Sequence, residues 1–165
     1  MPITRKQLSM YIPRDAARKL EVVRRVVDPI QSRLIPAHVT LCREDELGDL
    51  ASVLARLRVA PFGPLTLRFG GPVAFSGHGL LLKCIEGADR FRALREYLLA
   101  SSRIRDQKPH ITLAHPRNPK AGGNSLSNTS ALPEVFEATF PDICLIEQEG
   151  DGLWRLLETY ELQGP

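Results

Sequence analysis

Two short stretches of the chain share one pattern, a histidine followed by a β-branched residue, a threonine and a leucine. They are His38-Val39-Thr40-Leu41 and His110-Ile111-Thr112-Leu113. Such residues following a proline favour a β-strand, in which side chains alternate between two faces. Each histidine then shares a face with its threonine, about 6.6 Å away along the strand, while the intervening apolar residues point into a core. This spacing suits two groups that hold one phosphate.

The segments that precede the two stretches also resemble each other. The first stretch follows a predicted strand over residues 7–12 and a helix from a cap at Asp15 to Asp28. The second follows a predicted strand over 80–85 and a helix over 89–101. From helix start to histidine the spacings are 23 and 21 residues. This internal repeat predicts two similar lobes that face each other.

The remaining patterns complete an α+β chain. They predict a helix over 47–57, a strand over 65–75 with a bulge at 70–72, a tight turn at 76–79, and a terminal hairpin of strands 143–147 and 153–162. The polar run 116–130 predicts a long mobile loop, which is either a lid over a binding site or a poorly ordered connection.

Composition limits the class of protein without naming a function. Hydrophobic residues make up 43% of the 165 residues and charged residues 25%, which is ordinary for one compact domain. The net charge of +3 favours an anionic ligand but not a surface that coats nucleic acid. No stretch has the length of a spanning helix or the form of a signal peptide, so we expect a cytoplasmic protein that does not enter a membrane. Three separated cysteines, Cys42, Cys84 and Cys144, are expected in the core.

The paired histidines can perform acid–base chemistry. Near neutral pH one imidazole can accept a proton while another donates one. A phosphate held between His38 and His110 would have a base on one side and an acid on the other, and the hydroxyls of Thr40 and Thr112 would donate to its non-bridging oxygens. This scheme needs no metal and no cofactor. Three alternatives remain open: histidines with a structural role only, a metal site that lacks an evident third ligand, and a site that binds without reacting.

The repeated motif resembles that of the two-histidine (2H) phosphoesterases, which include bacterial 2′-5′ RNA ligases and 2′,3′-cyclic phosphodiesterases. The resemblance covers nearly the whole chain. It implies a single domain over 1–165 with two pseudo-symmetric lobes, two mainly antiparallel sheets that face a central cleft, and helices outside. It also implies that His38 and His110 are the catalytic pair and that Thr40 and Thr112 bind phosphate. The motif does not tell which histidine is the base; His110 is taken as the base as a working assignment.

Other residues are candidates with weaker patterns. Arg117 and Lys120, on the polar run, are candidates for binding a phosphate. Tyr11 and Trp154 are candidates for stacking on a base, although packing in the core is the more common use of such residues. His115 lies an odd number of residues after His110, which predicts the opposite strand face unless the strand ends first.

Several charged or polar side chains are predicted to have no special role. His78, between two turn glycines, is expected to be exposed. Arg43 and Arg155 are expected to be exposed charges on strands, and the basic residues of the first helix are expected to form a solvated face. Those helix residues are Arg18, Lys19, Arg24 and Arg25.

The sequence therefore predicts a metal-independent phosphodiesterase that opens a 2′,3′-cyclic phosphate on a nucleotide or RNA end, with 2′-5′ joining as the reverse reaction. The expected partner is that RNA or nucleotide, with no obligate protein partner. The alternative is a module that binds phosphorylated nucleotides or RNA ends without turnover. Salt-sensitive RNA binding that does not depend on the histidines, with no turnover, would favour the module.

Overall fold

The computed structural model describes residues 1–164. Their strands and helices, in chain order, are β1 (Thr4–Tyr11), α1 (Arg14–Val27), α2 (Pro29–Leu34), β2 (His38–Cys42), α3 (Leu50–Arg58), β3 (Leu65–Phe75), β4 (Gly79–Glu86), α4 (Ala88–Leu99), β5 (His110–Ala114), β6 (Val135–Phe140), β7 (Asp142–Glu149) and β8 (Trp154–Glu161). Single 3₁₀ turns cover Glu44–Glu46 and Leu126–Thr129. None of the helices within residues 1–164 is long and apolar enough to cross a membrane.

The strands form two antiparallel sheets of the same design. The first has the order β2-β1-β7-β8 and the second the order β5-β4-β3-β6. In each sheet the histidine strand lies at one edge, beside the strand that precedes it in the repeat. We call the first sheet with α1 and α2 the first lobe, and the second sheet with α4 the second lobe. The predicted α+β fold with two similar antiparallel sheets is confirmed.

One hydrophobic core joins the two lobes. Helix α1 contributes Leu20 and Val23, and helix α4 contributes Phe91 and Leu94, all of which are buried in the same cluster as Phe69 of β3. The predicted apolar stripes of both helices are therefore confirmed. A smaller cluster of Ile35, Cys144 and Ile146, with Tyr11 and Trp154 against it, lies apart from this core.

Several predicted details are confirmed and others are wrong. The register of β3 against β4 shifts between Phe69 and Pro72, which is the predicted bulge, and both predicted hairpins form. The predicted cap at Asp15 is wrong, because the N-cap of α1 is Pro13 and Asp15 lies in the first turn. Cys42 and Cys144 are buried as expected, whereas Cys84 is only partly buried.

The sequence patterns did not predict two elements, α2 and β6. Helix α2 begins with Pro29 directly after α1, and the Asp28 side chain caps it by accepting a hydrogen bond from the Gln31 N–H at 3.0 Å. Proline at the first position of a helix after an aspartate cap is a recognisable start signal. Strand β6 is the edge of the second sheet and alternates between exposed and buried residues. Both signals are present in the sequence.

Candidate active site

The two histidine strands meet at the junction of the lobes. β2 and β5 are both edge strands, and they pack against each other. Their burial patterns are identical along five residues: the histidine and threonine are partly exposed, while the residues beside them are buried. The prediction that each histidine shares a face with its threonine, away from the core, is confirmed.

Matching hydrogen bonds orient the two imidazole rings. Nδ1 of His38 lies 2.8 Å from the carbonyl oxygen of Pro36, and Nδ1 of His110 lies 3.0 Å from that of Lys108. In both cases the partner is the carbonyl two residues earlier. A carbonyl only accepts hydrogen bonds, so each Nδ1 carries the hydrogen and donates it. Both Nε2 atoms are therefore left for a ligand.

The surroundings of His38 favour the neutral form of its ring. Its pKa is lowered to about 4, chiefly because the ring is desolvated by burial. The positive charges of Arg24 and His110 act in the same direction, and the hydrogen bond to Pro36 opposes them. At pH 7 the Nε2 atom of His38 therefore has a free lone pair.

We expect His38 to make stability depend on pH below neutrality. Its pKa in the folded chain is about 4, against 6.5 for an unperturbed histidine. Between these values the unfolded chain binds more protons than the folded chain. The stabilising contribution of neutral His38 is therefore complete above pH 6.5 and is lost as the pH falls toward 4. Allowing for the partial exposure of the ring, this loss is about 2 kcal/mol.

The measurement is urea unfolding at pH 7, 5.5 and 4.5 for the wild type and for His38→Gln. The carboxylates titrate in both proteins, so the difference between the two curves isolates His38. A difference that stays constant across this range would show that the folded chain does not depress the pKa of His38.

A buried arginine supports the entry to β2. Arg24 of α1 is fully buried and donates from Nη2 to the carbonyl of Ile35 at 2.8 Å and from Nη1 to Glu21 Oε1 at 2.8 Å. Glu21 in turn accepts the N–H of Ala37 at 2.7 Å. The expectation that Arg24 belongs to a solvated helix face is wrong, because its guanidinium binds the backbone that leads to His38.

The outer edge of β2 is closed by side chains from the second lobe. Gln107 donates from Nε2 to the Thr40 carbonyl at 2.8 Å, and buried Arg95 of α4 donates from Nη1 to the Leu41 carbonyl at 2.6 Å. Arg95 also binds both carboxylate oxygens of Glu46, at 3.0 and 2.7 Å. These contacts fix the backbone of the first motif from the segment that precedes the second, and no sequence pattern indicated them.

A second connection lies at the end of β5. The buried carboxylate of Asp28 accepts the His115 N–H at 2.8 Å and the side-chain amide of Asn118 at 2.9 Å. Asp28 lies between α1 and α2, so it links the first lobe to the chain that leaves the second motif. The two motifs are thus held together at both ends.

His115 is the first residue after β5. Leu113 and Ala114 are both buried, and the register between β4 and β5 shifts at Leu80, so the alternation of β5 is broken before the strand ends at Ala114. The strand ends before His115, which is the exception that the prediction allowed, so the opposite-face expectation does not apply to this residue. The Arg117 N–H donates to His115 Nδ1 at 3.1 Å, so Nε2 carries the hydrogen of this ring. Burial is the main cause that lowers the pKa of His115, and the Arg117 charge adds to it.

Comparison with known proteins decides the family. The family model described as the 2′-5′ RNA ligase superfamily matches residues 12–152, which contain both motifs. This chain belongs to the 2′-5′ RNA ligase superfamily. The resemblance to the two-histidine phosphoesterases, which include the 2′-5′ RNA ligases, is confirmed at the level of this superfamily. A search of curated protein sequences finds no match.

Solved structures share the fold of this superfamily member along nearly its full length. E. coli LigT complexed with NADP⁺ matches with a TM-score of 0.62 and 13% identity over 98% of this chain and 99% of LigT. A structure described as a phosphoesterase matches with a TM-score of 0.64 and 15% identity over 98% and 99% of the two chains. E. coli LigT complexed with 3′-AMP gives 0.63 and 15% over 96% and 98%. At these identities the likeness concerns the fold.

Two aromatic side chains of this superfamily member pack on the small cluster, and one of them, Tyr11, lies beside His38. Tyr11 pairs with His38 across β1 and β2, and their rings meet edge to face with centroids 6.4 Å apart. Burial raises the pKa of Tyr11 to about 12, so its hydroxyl stays protonated. Trp154 is partly exposed on β8, and the guanidinium of Arg5 lies 5.3 Å from its ring centroid. Both aromatics pack on the small cluster and also keep an accessible surface.

The polar run after β5 is anchored to α1 and to the turn before β4, which the sequence did not predict. His78 Nε2 donates to the Asn118 carbonyl at 2.6 Å, and buried Asn124 donates to the His78 carbonyl at 3.0 Å. Gly123 approaches α1 so closely that a Cβ there would lie 2.6 Å from the Val26 carbonyl oxygen. The prediction of an exposed His78 is wrong, because its ring anchors this segment.

The exposed charges follow the sequence predictions in part. Arg117 and Lys120 are exposed, and the Arg117 N–H donates to the His115 ring. Arg43 is exposed directly after β2, and Arg155 is exposed on β8, where it pairs with Glu147 at 2.6 Å. In the described part of the chain no group of three metal-ligating side chains is found.

Proposed function

We propose that this chain is a metal-independent phosphodiesterase that hydrolyses a 2′,3′-cyclic phosphate on a nucleotide or RNA end. The observation that carries the proposal is the matched pair of imidazoles, each with Nδ1 bound to a carbonyl and Nε2 free, on two strands that pack against each other. The fold match to LigT, whose solved complexes contain 3′-AMP and NADP⁺, supports a nucleotide phosphate as the ligand.

The reaction needs one proton acceptor and one proton donor. His38, neutral at pH 7, removes a proton from a water molecule as its oxygen forms a bond to phosphorus. His110 enters as the imidazolium and gives its proton to the ribose oxygen whose bond to phosphorus breaks. The product is a phosphate monoester, and solvent restores both protonation states. The lowered pKa of His38 favours this assignment over the working one in which His110 is the base.

The threonines complete the phosphate site. Within residues 1–164 the hydroxyls of Thr40 and Thr112 have no hydrogen-bond partner, although both residues are partly buried beside the histidines. Each hydroxyl can donate to a non-bridging oxygen, where negative charge is held as the new bond forms. Two donors, one from each lobe, match the two non-bridging oxygens of a phosphodiester.

Residues at the rim bind the rest of the substrate. Tyr11, beside His38, offers an aromatic edge and face for a base. The Nε2–H of His115 and the guanidinium of Arg117 offer donors for phosphate or ribose oxygens. Lys120, exposed further along the same segment, adds positive charge for a longer ligand.

Ligation would use the same machinery. If the 5′-hydroxyl of a second RNA end replaces water, its attack on the cyclic phosphate breaks the bond to the 3′-oxygen and leaves a 2′-5′ phosphodiester. The proton again passes to His38, and His110 again protonates the leaving oxygen. The balance between hydrolysis and joining then depends on which nucleophile occupies the site.

The test is hydrolysis of all four nucleoside 2′,3′-cyclic monophosphates in the presence of a chelator, with identification of the monophosphate isomer formed. We expect turnover that the chelator does not reduce and a single isomer, because one ribose oxygen faces His110. Binding of these nucleotides without turnover would identify a non-catalytic module instead, and turnover abolished by the chelator would contradict the metal-independent mechanism.

A further inference from the structure

The two lobes pair their strands in the same way around the site, but they place different residues opposite the two histidines. Tyr11 of β1 lies opposite His38, and Lys83 of β4 lies opposite His110. In both sheets the register shifts just beyond the threonine, between Leu8 and Ser9 in one and between Leu80 and Leu81 in the other. Lys83 and Tyr11 are therefore equivalent positions that carry different chemistry.

The position of Lys83 does not serve the stability of the fold. Directly opposite residues on antiparallel strands have Cβ atoms about 5 Å apart and point to the same face, so Lys83 stands beside His110 on the site side. Like charges at opposite positions destabilise a sheet, and His110 becomes positive in the proposed reaction. Among residues 1–164 no carboxylate forms an ion pair with Lys83, which is exposed.

An anionic ligand would remove this conflict. The reacting phosphate has its own partners in the partly buried histidines and threonines. The lysine is exposed, so its ammonium group lies at the rim, where a polynucleotide chain would leave the site. The charge next along such a chain is the phosphate that joins the terminal nucleotide to its neighbour.

We propose that Lys83 binds the phosphate adjacent to the reacting one and makes the enzyme prefer an RNA end over a mononucleotide. This inference rests on the proposed function. It predicts that the substrate is an oligonucleotide that ends in a 2′,3′-cyclic phosphate, since a nucleoside cyclic monophosphate lacks the second phosphate.

The experiment compares kcat/KM for a nucleoside 2′,3′-cyclic monophosphate and for a tetranucleotide that ends in the same cyclic phosphate. We expect Lys83→Met to lower kcat/KM about tenfold more for the tetranucleotide than for the mononucleotide, and Lys83→Arg to restore most of the difference. In Lys83→Met, the kcat/KM for the tetranucleotide should fall less steeply with salt concentration, by about the amount expected for one lost phosphate contact. Lys19→Met, which removes an exposed lysine of α1, is the matched control and should behave as the wild type.

Failure of the inference and failure of the proposed function are distinguishable. If Lys83→Met lowers kcat/KM by the same factor for both substrates, or for neither, the proposed function stands and the proposed role of Lys83 is wrong. If the wild type turns over neither substrate, the proposed function fails, and fluorescence anisotropy of the labelled tetranucleotide then judges Lys83 alone. In that case equal affinity of wild type and Lys83→Met would overturn the inference, and a loss of about tenfold in Lys83→Met only would support it.

Discussion

His110→Ala is expected to reduce kcat for 2′,3′-cyclic phosphate hydrolysis by about 10³-fold, because it removes the proton donor to the leaving ribose oxygen. The ring is partly exposed and makes one hydrogen bond, to the Lys108 carbonyl, so the free energy of unfolding should change by less than about 1 kcal/mol. Single-turnover kinetics with the cyclic monophosphates, together with urea unfolding, measure the two quantities separately.

Two variants make this prediction specific. His38→Ala should lose a comparable factor, and the double variant should lose little more than either single one, because the two histidines act as one unit. His78→Ala is the matched control: its ring also binds a backbone carbonyl, that of Asn118, but it lies in the turn between β3 and β4 and anchors the segment after β5. It should lose stability and keep its rate. Undiminished turnover in His110→Ala would remove this residue from the mechanism.

The motif strands were predictable because their pattern is local. Alternation of His38 and Thr40 with buried apolar residues follows from strand geometry alone, and the order of strand, helix and histidine strand repeats along the chain. Because of that repetition, the two lobes and the pairing of their histidine strands could be predicted without knowledge of contacts between distant residues.

What the sequence could not predict depends on partners far along the chain. Arg24 and Arg95 lie on helices among exposed charges of the same kind, and the helical period does not distinguish a buried guanidinium from a solvated one. Arg95 is buried because it reaches Glu46 and the Leu41 carbonyl, 49 and 54 residues away. The charge of a side chain favours exposure only when no partner compensates for its burial.

The strand face of His115 could not be predicted for a different reason. Counting residues from His110 assumes unbroken alternation, but a register shift at Leu80 inserts one residue into the pairing of β4 and β5. A single bulge reverses the face of everything that follows it. Such an irregularity leaves no mark in the sequence of β5 itself.

Arg95→Met is expected to cost about 3–5 kcal/mol of the free energy of unfolding, because it leaves a partly buried charge without its partner. Burial raises the pKa of Glu46, but the hydrogen bonds and charge of Arg95, with the Arg43 N–H, lower it overall, so the carboxylate is ionised in the native protein. Without Arg95, the Leu41 and Arg105 carbonyls also lose a donor. Urea unfolding at pH 7 gives the loss.

Helix α4 supplies the matched control for this prediction. Arg92 lies one turn earlier and pairs with Glu96 at 2.9 Å, but both side chains are substantially exposed, so Arg92→Met should change stability by less than about 1 kcal/mol. The double variant Glu46→Met with Arg95→Met removes both charges and should recover part of the loss, which a purely steric effect of the arginine would not allow. Equal effects of Arg92→Met and Arg95→Met would contradict the structural role of the buried pair. Since Arg95 fixes the Leu41 carbonyl next to Thr40, the destabilised variant should also show a lower kcat than Arg92→Met, because the first motif is held less firmly against the second.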